Sequence, residues 1–243
     1  MRSRRLLQPV LRGRLTIEVR PVRFVADPQR LPEMNECFPV GPEGGPLEGQ
    51  DLLEVARHVH AECILARATS EAAFRLAGAL DPEESLAIVV HGAALTRDLE
   101  FVPFLADSAD RYGIALSRLV LSLRDMPAPS RALLTSLRGL RDIGVRTAWQ
   151  ARALFRGVLS AESRPNYVKL DADNIRGIAS DLYRQILMGS TVELCRKLGI
   201  LPIAEGVREP HERQALAIAG VSLAQGPLFS QVQESRHEET AAD

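Results

Sequence analysis

Apolar residues along the chain fall into two alternating rhythms. Apolar runs of strand length sit at residues 15–22, 34–40, 86–92, 118–125, 145–150, 167–171, 201–206 and 223–229. Longer segments at 51–78, 98–112, 130–143, 181–198 and 210–219 carry apolar positions at the spacing of a helix buried on one face. Strand and helix in alternation predict a parallel sheet built from β/α units. Eight strands predict closure into an α/β fold, the TIM-type (β/α)8 barrel, over residues 15–231. No Gly-x-Gly-x-x-Gly opens a helix after the first strand, which counts against a dinucleotide-binding sheet.

Local chemistry sharpens the boundaries. Asp81-Pro82-Glu83-Glu84 predicts a turn into the third strand. Met126-Pro127-Ala128-Pro129-Ser130 stops the fourth strand and offers Ser130 as the N-cap of the next helix. Leu198-Gly199 reads as a helix closed by a C-terminal glycine. Residues 1–14 are expected to be a short leader, and the polar residues 232–243 a flexible tail.

Composition narrows the function classes. The 243 residues suit one large barrel domain. A formal net charge of −1 offers no electrostatic footprint for nucleic acid or an anionic membrane, so neither is expected as a partner. The basic residues are almost all Arg; the lysines are Lys169 and Lys197, which makes a lysine inside a strand run conspicuous. Cys37, Cys63 and Cys195 are odd in number, widely spaced and form no C-x-x-C pair, which predicts reduced thiols and a cytoplasmic protein. No apolar stretch is long enough for a membrane-spanning helix.

Candidate chemistry concentrates late in the chain. Leu201-Pro202-Ile203-Ala204-Glu205-Gly206-Val207 ends an apolar run on an acid and a glycine. About one helix later, Gln225-Gly226 does the same with an amide, and upstream stands Val168-Lys169-Leu170-Asp171. In order and spacing these segments resemble the last three strands of the EAL family of cyclic di-GMP phosphodiesterases. The resemblance runs from Leu15 to Ser230, strong in the last third and weaker before it. It implies a barrel with its site at the C-terminal strand ends. It also implies a reaction in which two divalent metals, held by carboxylates and an asparagine, activate water for in-line attack on a phosphodiester.

Carried over residue by residue, the resemblance implies a remnant rim of Glu36, His91, Asp125, Lys169, Asp171, Glu205 and Gln225. Glu36, in Asn35-Glu36-Cys37-Phe38, matches the metal-binding glutamate of the signature. Val40 stands where the family has a phosphate-holding arginine, and His91 where it has the asparagine. The Glu-x-x-Glu of the fourth strand reads Ser122-Leu123-Arg124-Asp125, so one acid is lost and the other shortened. The family's Asp-Asp pair on the fifth strand is replaced by Gln150-Ala151, after Trp149. A neutral amide and a methyl group do not offset the desolvation of two divalent ions.

Each of these residues also has a plainer structural role. Lys169 and Glu205 can form an ion pair, Gln225-Gly226 a tight strand end, and His91 a hydrogen-bonded rim residue, while Trp149 is expected to pack into the barrel or to plug the former pocket. A sharper alternative gathers Glu36, His91 and Asp125 into a single-metal site, since imidazole suits zinc or iron. No cofactor and no metal are expected. The leading expectation is a catalytically inactive EAL-like domain that acts as a regulatory module by binding an unidentified protein partner or forming a homodimer. The alternative is a receptor that binds cyclic di-GMP without hydrolysis; Val40 and the rewritten loop after Trp149 count against it. Leu154, Phe155, Val158 and Leu159, set among arginines at near-helical spacing, are the candidate interface.

Overall fold

The computed structural model describes residues 15–41, 51–151 and 164–230. Its strands are β1 (Thr16–Phe24), β2 (Met34–Val40), β3 (Ser85–His91), β4 (Leu119–Arg124), β5 (Arg146–Gln150), β6 (Tyr167–Leu170), β7 (Leu201–Ala204) and β8 (Leu223–Ala224). They follow one another in sequence order around a closed barrel, as the alternation of strand and helix predicts. The helices are α1 (Leu52–His58), α2 (Glu62–Leu76), α3 (Ala94–Arg97), α4 (Phe101–Arg111), α5 (Arg131–Asp142), α6 (Ala172–Ile175), α7 (Leu182–Leu198) and α8 (Pro210–Ile218). Residues 1–14 and 232–243, the expected leader and tail, lie outside the described residues.

Three expectations need correction. The sheet is not wholly parallel: β1 pairs antiparallel with β8, Arg23 opposite Ala224. Only residues 25–33 separate β1 from β2, too few for the crossover helix that parallel neighbours require. The single helix expected over 51–78 is broken into α1 and α2, because His60 adopts φ 55° and turns the chain. The last strand stops at Ala224, since Gly226 leaves extended geometry at φ 149°.

Contacts group the chain into two compact units. One comprises Met1–Val19 and Glu36–Arg164; the other comprises Arg20–Asn35 and Pro165–Asp243. In the first, β3 and β4 pair in parallel from Leu86–Leu119 to His91–Arg124, and β5 continues that register with Ala148 beside Ser122. The alternate residues Leu121, Leu123 and Trp149 face a core shared with Phe74, Phe101, Leu105 and Leu133 from the covering helices. Of the two expected roles, Trp149 therefore packs, in the layer between strands and helices, and does not plug a pocket. Ser130 caps α5 as expected, its Oγ accepting the Leu133 amide at 3.2 Å.

In the second unit, β6, β7 and β8 pair in parallel, with Lys169 opposite Ile203 and Ala204 opposite Ala224. Helix α7 ends on Gly199 at φ 65°, where the Gly199 and Ile200 amides cap the carbonyls of Arg196 and Cys195. No helix among the described residues is long and apolar enough to cross a membrane.

Candidate functional site

In the first unit, Glu36 does not present an open carboxylate. It is 3% exposed, and Ser122 Oγ donates to its Oε1 at 2.7 Å. Ser122, where the resemblance implies an acid, thus supplies a hydrogen bond to Glu36. Cys37, next in the chain, points the other way into the strand–helix core; burial first and the Glu36 charge second push its thiol up to about 12. Phe38 turns back and packs with Leu52, Leu53 and Ala56 of α1. Asp51 holds the start of that helix: its Oδ1 accepts the Leu53 amide at 2.9 Å, and its Oδ2 meets Arg124 Nη1 at 2.6 Å. The Arg124 guanidinium also lies 5.7 Å from the centre of the Phe38 ring. Val40 bridges to Asp51 and brings no cationic group to this end.

His91 ends β3 in register with Arg124. Its Nδ1 accepts the Ala93 amide hydrogen at 3.1 Å. A backbone N–H can only donate, so in the neutral ring Nδ1 is the bare nitrogen and Nε2 carries the proton. Nε2 is buried without a hydrogen-bond partner, 3.7 Å from Asp125 Oδ2. Asp125 itself sits in the left-handed region at φ 47°. Burial pulls the His91 pKa below its ordinary value, against the opposing pull of Asp125.

In the second unit, Lys169 Nζ lies 2.7 Å from Glu205 Oε1, the structural ion pair among the expected alternatives. Lys169 is buried, so this carboxylate compensates a charge that would be costly alone. Asp171 caps the one-turn helix α6 by position, its carbonyl accepting the Asn174 amide at 2.9 Å. Gln225 uses its side-chain amide to donate to the Arg20 carbonyl at 3.1 Å. Gly226 is demanded by packing: a Cβ there would stand 2.4 Å from the backbone of Val207. Glu209 serves α8, where Glu209 and Glu212 form a reciprocal capping box.

Sequence reasoning missed the outer face of α7. Leu182 and Tyr183 are each 70% exposed, and Ile186, Leu187 and Leu194 are exposed beside them, while Met188 and Cys195 face inward. The signal was present, because α7 carries a second apolar row in addition to the one it buries. The expected interface at Leu154, Phe155, Val158 and Leu159 lies outside the described residues.

The donors do not fit the metal pair that the resemblance implies. Ser122 and Gln150 are neutral, Ala151 has no donor, and one Glu36 oxygen already accepts from Ser122. His91 Nε2 carries the proton wherever Nδ1 holds Ala93, so it acts as a donor and offers no lone pair to an ion. Among the described residues no three His, Cys, Asp or Glu side chains are grouped to hold a metal, including the Glu36, His91 and Asp125 set. That alternative is therefore set aside.

The sequence model of the EAL domain matches residues 40–232 of the chain. Solved structures agree in fold. The EAL domain of FimX from Xanthomonas citri, in complex with c-diGMP, superposes with a TM-score of 0.77 at 18% identity, covering 93% of this chain and 92% of that one. An EAL domain protein from Listeria monocytogenes gives a TM-score of 0.79 at 18% identity over 99% and 98%. BlrP1 of Klebsiella pneumoniae, in a manganese and c-diGMP complex, gives a TM-score of 0.76 at 24% identity. That likeness covers 88% of this chain and 55% of BlrP1. No curated protein matches the sequence.

Proposed function

The chain belongs to the EAL domain family, and we propose that within it this barrel is a catalytically inactive regulatory module of bacterial cyclic di-GMP-linked signalling that works by binding protein. The observation that carries the reading is the hydrogen bond from Ser122 to the buried Glu36. Phosphodiester hydrolysis by a metal pair needs anionic oxygens turned toward the ions. Here Ser122 of the fourth strand donates a hydrogen bond to the acid that would have been its fellow ligand, and the fifth strand ends on the neutral Gln150. The exposed apolar row of α7 supports the protein-binding half of the reading, since monomeric surfaces rarely leave such groups uncovered.

A second reading, a non-hydrolysing cyclic di-GMP receptor, draws support from Lys169, Glu205 and Gln225, and from the FimX EAL domain, which holds c-diGMP. Lys169 and Gln225 already spend hydrogen bonds on Glu205 and Arg20, and Val40 offers a phosphate nothing. Isothermal titration with cyclic di-GMP, with and without Mg²⁺, separates the readings. No heat of binding in either condition fits the protein-binding module. Metal-independent binding favours the receptor. Binding that requires Mg²⁺, with hydrolysis, overturns both.

A further inference from the structure

We propose that His91 is a pH-operated switch on the turn that follows β3: the neutral ring holds the Ala93 amide, and the charged ring releases it and is drawn toward Asp125. The two protonation states make incompatible demands on one nitrogen. In the neutral ring, the Nδ1 lone pair accepts the Ala93 N–H at 3.1 Å. When a proton from solvent adds to that lone pair, Nδ1 becomes a donor facing a donor, and the hydrogen bond cannot persist. At the other end of the ring, Nε2–H is already unpartnered and only 3.7 Å from Asp125 Oδ2, so a small rotation converts near-contact into an ion pair.

Ala93 is the residue whose release matters most in this turn. Its carbonyl accepts the Thr96 and Arg97 amides at 3.1 and 3.0 Å and the Thr96 hydroxyl at 3.1 Å. Freeing its N–H therefore loosens the residue that organises α3. The side toward the strand stays fixed, because the Gly92 amide donates to the Arg124 carbonyl at 2.7 Å and a Cβ on Gly92 would crowd Met126 and Pro127 at 3.0 Å. Motion is thus directed into residues 93–98. From there Arg97 reaches Glu62 of α2 at 3.0 Å, and Asp98 takes both arms of Arg67 at 2.7 and 2.8 Å, which links the turn to that helix.

The charged groups facing His91 come from four segments: Asp125 after β4, Glu62 of α2, Arg97 of α3 and Arg57 of α1. The two acids favour the charged ring and the two arginines oppose it, while burial opposes it most. The switch therefore operates on the acid side of an ordinary histidine.

Nitrogen-15 spectra of the ring and amide exchange of the full chain, followed from about pH 8 to about pH 5, test the switch. At neutral pH the ring should carry its proton on Nε2. As the ring titrates, Ala93 protection, corrected for the intrinsic pH trend, should fall by about tenfold in step with it, as loss of one hydrogen bond implies. His91→Asn places an amide oxygen where Nδ1 stands and should keep Ala93 protected across the range. Asp125→Asn should move the transition to lower pH. A neutral ring protonated on Nδ1, or Ala93 exchange that ignores the ring titration, overturns the proposal from the wild-type protein alone. The same fall in the His91→Asn variant would also overturn it.

Discussion

The strand ends of the two compact units partner their polar residues differently. In the unit containing Glu36–Arg164, Glu36 accepts a hydrogen bond from a neutral hydroxyl and His91 accepts one from a backbone amide, Arg124 pairs with Asp51, and Gln150 and Ala151 bring no charge. In the unit containing Pro165–Asp243, charge meets charge: Lys169 faces Glu205 at 2.7 Å. The resemblance places most of its matching residues in the second unit and most of its departures in the first. A match to a motif and the use of it are different things, however. Lys169 and Glu205 neutralise one another, Gln225 holds a backbone carbonyl, and Gly226 is there because Val207 leaves no room for a side chain. Residues that a motif search would assign to a ligand thus also keep the fold.

The comparison can be broken hardest at the ion pair. Lys169→Met leaves the Glu205 carboxylate without its cation and should cost about 2–4 kcal/mol in urea unfolding, somewhat under the usual penalty for splitting a buried pair because Glu205 is partly exposed. Adding Glu205→Leu to the same chain should recover most of that loss. A single variant as stable as the wild type would show that the pair contributes nothing to the fold.

A smaller effect is expected in the other unit. Ser122→Ala removes a hydrogen bond to a buried carboxylate and should cost about 1–3 kcal/mol. Urea midpoints at unchanged slope measure it, and a neutral result would mean that Glu36 is held by its other partners.

The pH dependence is smaller again and has a definite sign. Burial depresses the His91 pKa in the folded protein below the unfolded value of about 6.5. Above that value neither state carries the proton, and the contribution to stability is complete. As pH falls below it, the unfolded chain takes up the proton first, so stability declines until the folded pKa is passed. His91→Asn should flatten this part of the stability profile between about pH 6.5 and 5. A profile unchanged by the substitution would contradict the assignment of a buried neutral ring.

The least effect on stability is expected on α7. Ile186→Asp lies on the exposed face and should shift unfolding by less than about 0.5 kcal/mol. If that face binds protein, the variant loses self-association or partner capture in size-exclusion and pull-down experiments while remaining folded. Unfolding of the variant would instead place Ile186 in the core.

The fold was legible wherever periodicity and end signals act locally. Strand runs, Ser130 as a cap and Gly199 as a stop all came from a few neighbouring residues. Strand direction has no such signature, so nothing in the apolar pattern distinguishes antiparallel β1 from the parallel strands. The break at His60 was hidden because neither glycine nor proline marks it. For the candidate site, the sequence revealed which residue types were missing but not what the remaining ones do. Ser122 and Glu36 are 86 positions apart, and only the placing of β2 and β4 on either side of β3 makes them partners. The tautomer of His91 depends on where one backbone amide points, which no spacing rule encodes. The outer row of α7 could have been read, had its apolar positions been counted against the single face a helix buries.

The central claim is that the residues at these strand ends cannot assemble a metal pair for phosphodiester hydrolysis. Turnover of cyclic di-GMP, assayed with Mg²⁺ and with Mn²⁺ against a protein-free blank, tests it most directly. The account predicts no hydrolysis above the blank with either ion, and no difference between the wild type and Glu36→Ala. Metal-dependent turnover that disappears in Glu36→Ala would contradict it.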